Sequence, residues 1–177
     1  MSLIRDKNGT PPMSSLRFES PLGTLVLTEE SGALTALDWA HAGSAATAHD
    51  TAAATPLLRR ARASLDAYFA GRLTEFNLPC APAGTAFQKR VWAEMGCIPY
   101  GATVTYGEIA RRVGSSARAV GNACGANPLP IVVPCHRVLA AGGALGGYSG
   151  LGGAATKARL LELESRRQAL SGARRAS

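Results

Sequence analysis

Thr105–Ala126, reading TYGEIARRVGSSARAVGNACGA, is the stretch that decides the fold. Thr105-x-x-Glu108 has the form of a capping box, in which a threonine hydroxyl and a glutamate carboxylate satisfy the free N–H groups that open a helix. Ile109, Ala110 and Val113 follow at helical spacing, and Gly114 stops the run. Ser115 and Ser116 then make a tight turn into a second short helix, Ala117 to Ala126. Helix, short glycine-containing turn and second helix is the helix-turn-helix plan. Similar hairpins occur in helical domains that bind no nucleic acid, so the composition of the second helix matters. Ala119, Gly121, Ala123, Gly125 and Ala126 give it low relief, and Arg118 is its only charge. Such a surface suits close approach to a groove; the alternative is close packing of helices inside a core.

Downstream, Asn127–Val138 reads NPLPIVVPCHRV, as a buried strand that delivers Pro134-Cys135-His136-Arg137 at its end. A cysteine is a strong nucleophile only as the thiolate, whose free pKa of about 8.5 must be lowered by a base or a positive charge. His136 and Arg137 are suitable neighbours. Adjacent residues of a strand point to opposite faces, so His136 would act on the thiol through a water or from a local turn. Taken alone, a Cys-His pair is as readily an inert core feature.

Upstream, Thr85-x-x-Gln88 is another capping box, opening a helix through Phe87, Val91, Trp92 and Met95 that Gly96 and Pro99 end. Before it, Leu78–Gly84 (LPCAPAG) reads as a linker from a first unit. That unit holds three β-like runs, LRFES, TLVLT and ALTALDW, broken by turn residues into an antiparallel meander. Thr55-Pro56 then starts a helix on which Leu58, Ala61, Leu65 and Phe69 share a face until Gly71. Residues 40–54 read as a loop.

The net charge of +7 is unevenly spread. Residues 1–83 carry seven Lys/Arg and eight Asp/Glu, residues 84–165 eight and four, and residues 166–177 four and none. A near-neutral first half and a basic second half suggest that a polyanion meets the second, since Lys and Arg neutralise phosphates; a solvated basic surface is the alternative. The longest apolar runs, such as Leu129–Val133, fall far short of the roughly 20 residues needed to span a bilayer, and the N-terminus has no secretory pattern. A cytoplasmic protein with no membrane partner is expected. Cys80, Cys97, Cys124 and Cys135 lack CxxC spacing and paired histidines, so neither a disulfide framework nor a zinc site is suggested.

The order of several short motifs resembles the methylated-DNA–protein-cysteine methyltransferase family, the O6-alkylguanine-DNA alkyltransferases. The matching stretches are Phe87–Trp92 (FQKRVW), Ile98–Gly101 (IPYG), Thr105–Ala110 (TYGEIA), Ala117–Gly121 (ARAVG), Asn127-Pro128, Pro134–Val138 (PCHRV), Gly147–Gly150 (GYSG) and Lys157-x-x-Leu160-Leu161-x-x-Glu164. The resemblance implies an α/β chain of two domains, a ribonuclease H-like sheet plus helix followed by a helical winged helix-turn-helix domain. The expected boundaries are a loose tail at 1–13, the first domain at 14–80, a DNA-binding and alkyl-acceptor domain at 84–168, and a basic tail at 169–177.

The resemblance also assigns roles. Cys135 is the alkyl acceptor, His136 the base acting through water, and Glu164 the residue that orients and charges the histidine. The position of Glu164, three and four residues after Leu161 and Leu160, independently places it on their helical face. Asn127 ties the helix-turn-helix to the nucleophile. Tyr106 crowds the phosphate beside the target nucleotide and donates a proton to the departing guanine. Arg118 fills the gap left by the extruded base, with Ala117 and Gly121 beside it on a helix set in the minor groove of double-stranded DNA. Tyr148, Ser149 and Val138 line the base pocket. No cofactor is expected, and no metal, since no Cys or His precedes His41 where some members hold zinc. A monomer is expected. The rival reading is a non-catalytic alkyltransferase-like protein that only binds damage, but such relatives lack the cysteine found here at Cys135.

Overall fold

The computed structural model describes residues 13–40, 54–148, 150 and 152–175. The expected tail at 1–13 lies outside them except for Met13, and most of the loop expected at 40–54 lies outside them too. The chain divides into two compact units, Met1–Ala83 and Gly84–Ser177.

The first unit is a three-stranded antiparallel sheet, β1 (Met13–Ser20), β2 (Gly23–Glu30) and β3 (Ala33–Trp39), in the order β1-β2-β3. Leu16 and Phe18 alternate inward from β1, as period two requires. On β3 the buried residues Leu34 and Leu37 are three apart, which strict alternation forbids. A register shift at Thr28/Glu29 accounts for them: Thr28 faces Ala36 but Glu29 faces Leu34, so Thr35 is an extra residue that resets the parity. Helix α1 (Pro56–Phe69) is capped by the Thr55 hydroxyl, which accepts from the Leu58 N–H at 3.1 Å. It buries Leu58, Ala61, Leu65 and Tyr68. Tyr68, rather than the expected Phe69, completes the buried stripe. The segment expected as a plain linker also joins this sheet: Cys80 bridges Leu34 in parallel, with Leu34 N–H donating to Pro79 O and Ala81 N–H to Leu34 O, both at 2.8 Å.

The second unit begins with α2 (Ala86–Gly96), whose capping box between Thr85 and Gln88 closes in both directions. The box at Thr105 and Glu108 likewise opens α3 (Tyr106–Val113). Gly114 ends α3 in the left-handed region, φ 65° and ψ 49°, where a Cβ is unfavourable. Ser116 caps α4 (Ala117–Gly125). These three helices share a core of Val91, Trp92, Met95, Ile109, Val120 and Ala123, and the Trp92 indole N–H donates to Ala123 O at 2.8 Å. Two short strands, β4 (Val104–Thr105) and β5 (Val138–Leu139), pair in parallel, setting Val104 opposite Val138. Because β4 runs straight into α3 and β5 follows Cys135 by three residues, this pair brings Tyr106 beside the Cys135 segment.

The final helix, α5, covers Ala154–Arg175. It runs into the residues expected as a basic tail at 169–177: Gln168, Ala169, Leu170, Arg174 and Arg175 are compatible with helix, since charge alone does not unwind them. Among the described residues no helix is long and apolar enough to cross a membrane.

Candidate active site

Of the strand expected over Asn127–Val138, the Leu129–Val133 stretch is instead a tight loop. Pro128, Pro130 and Pro134 have no N–H to give a ladder, and that outweighs the β propensity of Ile131, Val132 and Val133. Asn127 holds the loop in its place. Its side-chain carbonyl accepts from Leu129 N–H at 3.0 Å and its amide donates to Val133 O at 2.8 Å. Val133 N–H closes the turn onto Leu129 O at 2.8 Å, and Ile131 is driven to φ 74°. A fully buried β-branched residue at positive φ is strained, and persists only where its surroundings fix it.

Out of this loop comes a single 3-10 turn, Cys135–Arg137. A turn, unlike a strand, lets Cys135 and His136 serve one site. Cys135 is 4% exposed. Burial pushes its thiol up, while the hydrogen bond from Asn127 and the charge of Lys157 draw it back down. The Lys157 ammonium is buried, donates to Val138 O at 2.6 Å and lies 5.6 Å from the Tyr106 ring centroid. It therefore supplies a cation in a place where a thiolate gains most from one.

Behind the cysteine, α5 contributes Glu164 to a buried cluster. His136 Nε2 lies 2.8 Å from Glu164 Oε1. Arg137 donates from Nε and Nη2 to the same carboxylate at 2.9–3.2 Å and from Nη1 to Ile98 O at 2.7 Å. Gly101 N–H donates to Oε2 at 2.8 Å. Burial alone would raise the Glu164 pKa, but the bonds from His136 and Arg137 reverse that and hold it at about 2. An ionised carboxylate only accepts, so Nε2 carries the histidine proton and Nδ1 is the basic nitrogen. Burial lowers the His136 pKa, Glu164 partly offsetting it, so the ring rests neutral and able to take a proton.

Above Cys135 opens a cavity of about 410 Å³, lined by Tyr106, Gly121, Cys124, Gly125, Cys135, Gly147 and Tyr148. Tyr106 is the first residue of α3, and its hydroxyl reaches Gly147 O at 3.4 Å. Burial keeps Tyr106 a neutral phenol, and the two nearby thiols act in the same direction.

This arrangement can be set beside known proteins. Residues 17–82 match the ribonuclease-like domain of 6-O-methylguanine DNA methyltransferase, and residues 86–166 match the DNA binding domain of the same family. The chain belongs to the 6-O-methylguanine DNA methyltransferase family. A methylated-DNA–protein-cysteine methyltransferase of Mycobacterium leprae is 45% identical over 149 residues, 83% of this chain and 89% of that one. The constitutive methylated-DNA–protein-cysteine methyltransferase of Bacillus subtilis is 43% identical over 75% of this chain and 84% of its own. Among solved structures, Mycobacterium tuberculosis OGT in complex with DNA superposes with a TM-score of 0.77 at 44% identity, covering 87% of this chain and 94% of that one.

The family's two domains are thus both present, a ribonuclease-like sheet with its helix and a helix-turn-helix domain. Of the residues expected from sequence, the fold brings Cys135, His136, Asn127 and Glu164 into one cluster, and Tyr106, Gly121 and Tyr148 into the cavity above it. Ala117 and Arg118 stand exposed at the start of α4, outside the cavity lining. Val138 is fully buried in the cluster that holds Cys135, and its carbonyl fixes Lys157. Ser149 lies outside the described residues. Lys157, Cys124, Gly125 and Gly147 were not among the expected site residues, and Arg137, expected as a charge beside the thiol, instead pairs with Glu164. Lys157 was within reach of a periodicity argument, being three and seven residues before Leu160 and Glu164 on one face of α5.

Proposed function

We propose that this chain is a methylated-DNA–protein-cysteine methyltransferase that repairs DNA by direct reversal, taking the alkyl group from O6 of guanine onto its own Cys135. One observation carries the reading: among the described residues, Cys135 is the cavity thiol that also has a histidine-carboxylate pair behind it. The thiol proton passes toward His136 through water, and the Glu164 carboxylate stabilises the imidazolium that forms. Sulfur attacks the alkyl carbon in line with the C–O6 bond; an S–C bond forms as that bond breaks and its electron pair stays on guanine. Tyr106 donates a proton to the departing base and is reprotonated from the His136 side. The net change is one alkyl from oxygen to sulfur and one proton from sulfur to guanine, with no cofactor. A thioether is a poor leaving group, so each chain acts once.

DNA is the partner. A stacked base cannot be reached from outside the duplex, so the nucleotide is turned out into the cavity at a cost of a few kcal/mol. The reading places α4 in the minor groove, where Ala117 and Gly121 permit close approach and Arg118 occupies the vacated space. Indifference to sequence, which minor-groove reading allows, is what a repair protein needs. The protein is taken to work as a cytoplasmic monomer. Intact mass spectrometry after incubation with a duplex bearing one O6-methylguanine tests the reading: a gain of one methylene mass mapped to Cys135, and none for Cys135→Ala, is the expected result. Binding without any gain in mass would favour the damage-binding rival.

A further inference from the structure

We propose that Arg111 is a DNA-backbone contact, its guanidinium neutralising a phosphodiester that flanks the target nucleotide while that nucleotide's base stands in the cavity over Cys135. This rests on the alkyl-transfer reading above and adds to it a cation that the cavity itself lacks. Among the described residues, those that line the cavity include no lysine or arginine. Lys157, whose charge acts on Cys135, is buried and committed to Val138 O at 2.6 Å. A base that enters such a cavity leaves its sugar and phosphates at the rim, where the backbone charge gains from an exposed cation.

Helix α3 carries two arginines in its last turn, and the fold treats them differently. Arg112 turns to α2, its Nη1 3.5 Å from Glu94 Oε2. Arg111 is exposed and makes no ion pair among the described residues. Side chains on a helix lean toward its N-terminus, so residue i+4 lies over residue i. Here residue i is Gly107, which has no side chain to occupy that face, and a Cβ added to it would stand 4.0 Å from Arg111 Nη1. An arginine from the end of α3 thereby carries its charge back to the first turn, next in the chain to Tyr106, through which α3 joins the cavity lining. Glu108, one turn before Arg111, does not capture that charge: its Oε2 closes the cap, accepting from Thr105 N–H at 2.6 Å and from the Thr105 hydroxyl at 2.7 Å. A guanidinium held in this way is free to meet two phosphate oxygens at once with its planar fork.

The salt dependence of binding to a duplex bearing one O6-methylguanine tests this, measured in a Cys135→Ala background so that no alkyl group moves. Each phosphate neutralised adds about 0.9 to the slope of log K against log salt concentration. Arg111→Ala is therefore expected to lower the magnitude of that slope by about 0.9 and Arg111→Lys to keep it, while Arg112→Ala leaves it unchanged. Replacing the phosphates that flank the modified nucleotide, one at a time, by neutral methylphosphonates locates the contact: one replacement is expected to weaken binding when Arg111 is present and to be silent in Arg111→Ala. A slope unmoved by Arg111→Ala, an equal fall in Arg112→Ala, or the absence of a silent position overturns the proposal. Protein with Cys135 intact that takes no methyl from the same duplex refutes the alkyl-transfer reading itself.

Discussion

Replacing Glu164 with glutamine removes one charge and almost no volume, and the structure says what that should cost. The carboxylate accepts from His136, from two nitrogens of Arg137 and from Gly101 N–H. In Glu164→Gln one oxygen becomes an NH2 that faces donors, and the 5%-exposed Arg137 keeps its charge without a counter-ion. Breaking a buried ion pair by removing one partner costs about 3 to 5 kcal/mol. Linkage gives a similar figure: holding a carboxyl at about 2 rather than the ordinary 4.5 is worth on the order of 3 kcal/mol. For a chain of this size the loss is about 10 °C in Tm. The same change withdraws the group that stabilises protonated His136, so the single-turnover rate should fall by about 10²- to 10⁴-fold. Differential scanning calorimetry and rapid-quench transfer on one preparation read both. A variant within about 1 kcal/mol of wild type that transfers at the wild-type rate would refute both the buried-pair argument and the role of the histidine-carboxylate couple.

The same carboxyl fixes part of the stability profile. Its folded pKa lies below its unfolded one, so its contribution is complete above pH 4.5 and is lost as pH falls toward about 2, which acid titration of Tm in wild type and Glu164→Gln should separate. Lys157→Met removes a cation that draws the Cys135 thiol down, so the pH profile of iodoacetamide labelling at Cys135 should move to higher pH; an unchanged midpoint would place Lys157 outside the electrostatics of the site. Arg118→Ala should slow repair of O6-methylguanine in duplex DNA while sparing reaction with the free base, and equal loss on both would remove Arg118 from its proposed place in the stack. Gly114→Ala, at φ 65°, should cost about 1 to 2 kcal/mol by urea unfolding, and a neutral outcome would mean that the α3–α4 turn relaxes.

Much of this was legible in the sequence because the signals were local. Thr55, Thr85, Thr105 and Ser116 each mark a helix start where the structure has one, since a cap needs only its own next few residues. Glu164 was placed correctly by its spacing from Leu160 and Leu161. Where competing terms met, the local reading failed. Leu129–Val133 looks like a strand by composition, and three prolines with an Asn127 clamp make it a loop. Val138, which the resemblance assigns to the base pocket, is fully buried in the core and pairs with Val104 in β4–β5. Long-range pairs such as Leu34 with Cys80, or Gly101 with Glu164, leave no periodic trace, because neither partner's identity requires the other. The cavity wall was hidden for a related reason: Gly121 and Gly125 count as low relief in a sequence, and only the fold shows that their missing side chains open onto Cys135.

The central claim is that the chain is itself the acceptor and acts once. Its most direct test is the fate of an isotopically labelled methyl on O6 of guanine in a duplex held in excess over protein. The account predicts one label per chain, bound to Cys135 through denaturation, unmodified guanine left in the DNA, and no further repair however long the incubation. Label released to solution, or more guanines restored than protein chains present, would contradict it.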